Sequence, residues 1–170
     1  MDIPWPQLIG AAAGGLIGGF AGFLTNSIQQ RLQSRLIRSN VACALRGEII
    51  ALSQRIGDDY LQLLQNELRV LTEQRRYPSH RFSGQRDYAQ VYRSLGQQIG
   101  FLPNELVCEL VSWYISLTIY QDRAQELHDL TRHKDPELLD YAIEVARLQH
   151  ADFSDLVCQS GPLIEGLGAF

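Results

Sequence analysis

The hydrophobic pattern divides at about residue 30. Residues 3–30 carry no charged side chain, and all seventeen residues from Leu8 to Leu24 are apolar or glycine. That length lies at the lower edge of the roughly 17–25 residues a helix needs to cross a bilayer. Pro6, Gln7, Thr25, Asn26 and Ser27 lengthen the run without charge, and Trp5 stands where an interfacial aromatic belongs. Residues four apart stack on one side of a helix. Gly10, Gly14, Gly18 and Gly22 therefore form a groove, with Gly15 and Gly19 beside it. In lipid, helices associate through close backbone packing, which small residues permit. The expectation is a transmembrane segment, residues 1–30, whose glycine face packs against the membrane helix of a second copy of this chain or of a different subunit.

Beyond residue 30 the pattern is helical throughout, and no alternating strand stands out. Ile28, Leu32 and Leu36 carry an apolar stripe out of the span. Leu45, Ile49, Leu52, Ile56, Tyr60, Leu63, Leu64, Leu68 and Leu71 continue it at spacings of three and four. Gly47 and Gly57 are candidate bends, and Tyr77-Pro78 is the expected end. Unbroken from Pro6 to Tyr77, such a helix would reach roughly 110 Å. A polar loop, PSHRFSG, leads to a predicted helix from about Gln85 to Gln98 with Tyr88, Val91, Tyr92, Leu95 and Ile99 inward. Pro103 opens the next helix. There Leu106, Leu110, Trp113, Leu117, Tyr120, Ala124 and Leu127 alternate spacings of four and three, a seam against another helix. Val107, Val111 and Tyr114 widen it into a bundle face.

Asp135-Pro136-Glu137 is a strong helix start. Leu138, Tyr141, Ala142, Val145 and Leu148 should face inward in that last helix, and Gly161-Pro162 should end it. The tail LIEGLGAF is expected to dock on its own bundle. The fold class is thus all-α: one N-terminal transmembrane helix continuing into a cytoplasmic bundle, residues 31–170, of about four helical segments.

Charge sets the topology. Arg31, Arg35 and Arg38 follow the span, whereas the other flank offers only Asp2. The positive-inside rule places the C-terminal part in the cytoplasm and the first residues outside. Cys43, Cys108 and Cys158 form no CxxC pair, lie in apolar helical patterns and read as reduced, buried thiols. The formal net charge of −4 conceals a division. Residues 31–93 hold eleven arginines against six acids, and residues 94–170 hold four cations against twelve acids. The basic arm suits an anionic leaflet. The acidic half either neutralises that arm or meets a basic protein surface.

Arg75, Arg76, Arg81 and Arg86 cluster with His80, Tyr77 and Phe82. Arginine with aromatics can bind phosphate and stack on bases. Cations at a helix C-terminus also complement its dipole, which accounts for Arg75 and Arg76 with no ligand. A solvated loop is therefore preferred over an anionic partner or lipid, and nucleic acid ranks last.

No catalytic, cofactor or metal signature emerges. Glu-x-x-His pairs of a di-iron bundle are missing, because positions 125, 130 and 147 are Gln, Leu and Arg. Asp129 and His133 share a helical face but read as surface electrostatics. No GxSxG, HExxH, Walker or zinc-finger spacing occurs. Residues 91–114, through Gly96, Ile99, Gly100, Leu102, Pro103, Leu106 and Tyr114, resemble uncharacterised bacterial inner-membrane proteins with a single span and a small helical cytoplasmic part. The resemblance implies that location and architecture and no activity. The functional expectation is a non-enzymatic, membrane-anchored assembly or accessory subunit. The alternative is a small membrane-active effector or pore former that self-assembles through the glycine face.

Overall fold

A computed structural model describes the backbone of residues 5–78 and 89–170 and the side chains of residues 29–78 and 89–170. Among the described residues every regular element is helical. Helix α1 runs Trp5–Gln54, and a π-helical turn, Arg55–Tyr60, joins it without a break to α2, Leu61–Glu73. A short α3, Gln90–Ser94, and a 3-10 turn, Ile99–Phe101, precede α4, Asn104–His133. A second 3-10 turn, Pro136–Leu138, leads into α5, Leu139–Leu167.

The expected long helix is present, and the π-turn lies at Gly57. Its cause is visible in the spacing. Leu52, Ile56, Tyr60, Leu64 and Leu68 recur every four residues, and in a plain α-helix each step of four turns the stripe by about 40°. Widening one turn to i→i+5 bonding, as in the Leu61 N–H to Ile56 C=O bond, slows that rotation. Leu52, Ile56, Tyr60, Leu64 and Leu71 thereby stay buried. Leu63, on the neighbouring line, is exposed. The helix ends at Glu73, one turn before Tyr77-Pro78, where Arg75 takes a left-handed φ of 48°.

Helix α5 is the centre of the bundle. It packs against α1 and α2 on one side and α4 on the other, antiparallel to both. Ser39 donates to the Phe170 carbonyl at 3.2 Å at one end, and Arg75 meets Asp140 at 2.5 Å at the other. On the second side Trp113 Nε1 donates to the Leu156 carbonyl at 3.0 Å. The α4 seam falls as expected: Leu106, Leu110, Trp113, Leu117, Ala124 and Leu127 are buried, and Tyr120 packs against them partly buried. Asp135 also acts as expected, its carboxylate accepting the Glu137 N–H at 2.9 Å with Pro136 in the first turn.

Several expectations need correction. Pro162 lies inside α5, which continues to Leu167. An interior proline costs about 3 kcal/mol. Leu163 and Leu167 beyond it are buried, each contributing roughly 1.5–3 kcal/mol, and the helix continues. Leu138, Tyr141 and Leu148 are exposed. Ala142 and Val145 are buried as expected, and the inward stripe continues through Ile143, Ala146, Gln149, Phe153 and Leu156, wide because two neighbours flank α5. Cys43, Cys108 and Cys158 are exposed, not buried. Each follows a buried residue (Val41, Leu106, Leu156) by two positions, about 200° around the helix. The predicted helix Gln85–Gln98 is a single turn, Gln90–Ser94, within the described residues, followed by turns to Phe101.

Candidate functional site

Helix α1 projects beyond the bundle. Residues 29–36 are exposed on every side, including Leu32 at 54% and Leu36 at 65%. Where α1 joins the bundle, Arg38 donates from Nε to the Phe101 carbonyl at 2.7 Å, and its guanidinium lies 5.9 Å from the Phe170 ring centroid. Phe101 and Phe170 are themselves partly exposed. One end of the molecule thus combines Arg31, Arg35 and Arg38 with four exposed large apolar side chains. No acid occurs between Gln29 and Gly47.

The other predicted cations lie elsewhere. Arg75 and Arg76 sit at the far end of the bundle, roughly 55 Å along the helix from Arg38. Arg75 is paired with Asp140, and the guanidinium holds that carboxyl below its ordinary range. This contact ties the basic arm to the acidic half; Arg123–Asp152 is a second ion pair, within the acidic half. The two groups of arginines therefore do not form one surface. Arg81 and Arg86 lie outside the described residues. So do the side-chain surroundings of Gly10, Gly14, Gly15, Gly18, Gly19 and Gly22, and with them the transmembrane and glycine-face expectations. Among the described residues no helix is long and apolar enough to cross a membrane, and no cluster of three or more His, Cys, Asp or Glu is placed to hold a metal ion.

Two features escaped the sequence reading. The first is Glu48 on α1, whose carboxylate accepts the backbone N–H groups of Val91 and Tyr92 and the hydroxyl of Tyr114. It supplies the anion that the first turn of α3 favours, because α3 has no capping side chain of its own. Burial, and then the Glu48 hydrogen bond, push the Tyr114 phenol far above its ordinary range. Tyr92 stacks on Tyr114, ring centroids 3.9 Å apart. The second is a cleft beside the π-turn, between α1–α2 and α4. The four-residue spacing from Leu52 to Leu68 is the signal that marks it.

With this geometry in hand, comparison with known proteins gives no further guide: no family model, curated protein or solved structure matches the chain.

Proposed function

We propose that this chain is a membrane-anchored assembly subunit, held in the bacterial inner membrane by residues 1–30 with its helical bundle on the cytoplasmic side. The observation that carries the reading is the continuity of α1 from the uncharged segment into the exposed stalk. Leu32 follows Gly14, and Leu36 follows Gly18, by eighteen residues, which is about five turns of 3.6. Both leucines therefore lie on the side of α1 that bears the glycines. Arg31 and Arg38 lie at least about 100° around the helix from both leucines, where they would meet anionic lipid head groups without entering a helix–helix seam, and Arg35 lies at the edge of the glycine side, near the line of Gly10. One face of one helix thus offers small residues for packing in lipid and then unpartnered leucines for packing just outside it.

Native mass spectrometry of the protein released from its own membrane in mild detergent tests this. The expected result is a complex of fixed stoichiometry that dissociates when Gly14→Ile and Gly18→Ile are combined. Unchanged complex mass in that double variant would remove the glycine face from the proposal. Recovery of the wild-type chain outside the membrane fraction would remove the anchor.

A further inference from the structure

The cleft beside the π-turn has a volume of about 500 Å³, within the roughly 300–1,000 Å³ of small-molecule sites. Its wall is mainly apolar: Leu52, Ile56, Leu117, Ala124 and Phe153, with the exposed Leu63 and Asn66 also lining it. Tyr60 crosses Phe153 edge-on at 4.8 Å, and Tyr120 meets the same ring at 5.8 Å. The cleft is thus built where aromatic side chains from all three long helical layers converge. π-turns recur at functional sites because the extra residue opens the helix wall.

Polar groups at this level are incompletely paired. Gln121 lines the cleft, and its Nε2 is buried with no hydrogen-bond partner among the described residues. Gln149 is 0% exposed; it donates to the Tyr60 hydroxyl, while its Oε1 has no partner among the described residues. The Trp113–Leu156 and Arg123–Asp152 contacts set the register of α4 against α5. They put Gln121 and Gln149 within about one turn of the same level. An unpaired buried amide atom costs roughly 1–3 kcal/mol, and each such atom in a native fold calls for a partner. Of the two, only Gln121 lines the cleft, and its Nε2 lacks an acceptor, which the oxygen of a hydroxyl group supplies. Charge narrows the choice further. Asp58 and Asp59 both line the cleft and Arg55 offsets only one of them, so an anionic head group is disfavoured.

From these observations we infer that the cleft binds a small, neutral, mostly apolar molecule whose oxygen accepts from the Gln121 amide, of the long-chain alcohol class. This site is independent of the membrane-assembly reading and stands or falls without it.

The test uses the purified full chain, labelled with a diazirine-bearing dodecanol and mapped by mass spectrometry. Saturable adducts are expected on the peptides containing Leu52–Asn66 and Leu117–Ala124. Unlabelled dodecanol should compete at least five-fold better than dodecanoate. Leu63→Trp, in the exposed part of the lining, should cut labelling at least five-fold with an unchanged thermal melt; Asn66→Trp serves if that variant does not fold. Gln121→Leu should weaken competition by dodecanol and leave competition by dodecane unchanged. Absence of a saturable adduct overturns the proposal. Equal competition by dodecanoate overturns the neutral head group, and undiminished labelling in the blocked variant overturns the location.

Discussion

The Glu48 carboxylate accepts the hydroxyl of Tyr114 at 2.6 Å, a contact between α1 and α4, two helices that otherwise communicate mainly through α5. The same carboxylate accepts Val91 N–H at 2.8 Å and Tyr92 N–H at 3.0 Å. One side chain thereby fixes α1, α3 and α4 together. Hydrogen bonds to a charged group contribute about 1.5–3 kcal/mol each and are not additive within one network. Glu48→Ala should therefore destabilise the bundle by about 3 kcal/mol in urea denaturation, and Glu48→Gln by about half as much. Amide-exchange protection at Val91 and Tyr92 should fall with it. Unchanged protection there would mean that α3 holds its place without the carboxylate.

Glu67 on α2 makes stability depend on pH. Burial pushes its carboxyl from 4.5 up to about 7. The folded state then holds this proton more tightly than the unfolded chain does, so stability declines as pH rises from about 4.5 to about 7 and stays reduced above it. Glu67→Gln should remove that decline. The difference in urea midpoint between variant and wild type should grow through this window and flatten above pH 7. Parallel curves across the window would refute the assignment.

Lys134 ends α4 in the left-handed region, φ 54° and ψ 37°, with its N–H bonded to the Leu130 carbonyl. A side chain there costs about 1–2 kcal/mol, and glycine gives back part of that gain through unfolded-state entropy. Lys134→Gly should accordingly stabilise the protein by about 0.5–1 kcal/mol, seen as a melting temperature higher by about 1–4 °C.

Because Cys43, Cys108 and Cys158 are all exposed, the folded protein should take up three maleimide adducts without denaturant. Replacing each by serine should move stability by no more than about 0.5 kcal/mol. A thiol that reacts only after unfolding would restore the buried reading for that position.

The seam of α4 and the start of α5 are legible in the order of residues, because both follow from local physics. Period-3.6 spacing selects the buried face from Leu106 to Leu127, and the Asp135 carboxylate meets an N–H two residues away. Legibility ends where a neighbour decides. Tyr141 and Leu148 are as apolar as Ala142 and Val145, yet only the partners of α5 determine which line turns inward. Pro162 breaks a helix by its own chemistry and is overridden by two buried leucines.

By itself, then, the sequence determined the all-helical class, the uncharged run of residues 3–30, the α4 seam and the division into basic and acidic halves. Each depends on residue type and spacing within a few turns. Tertiary structure alone decided that α5 lies at the centre, that Arg38 and Arg75 stand at opposite ends, and that Glu48 caps a helix more than forty residues away. It also brought Tyr60, Gln121 and Phe153 around one cleft. Those relationships join residues far apart in the chain, and only packing in three dimensions brings such residues within contact distance.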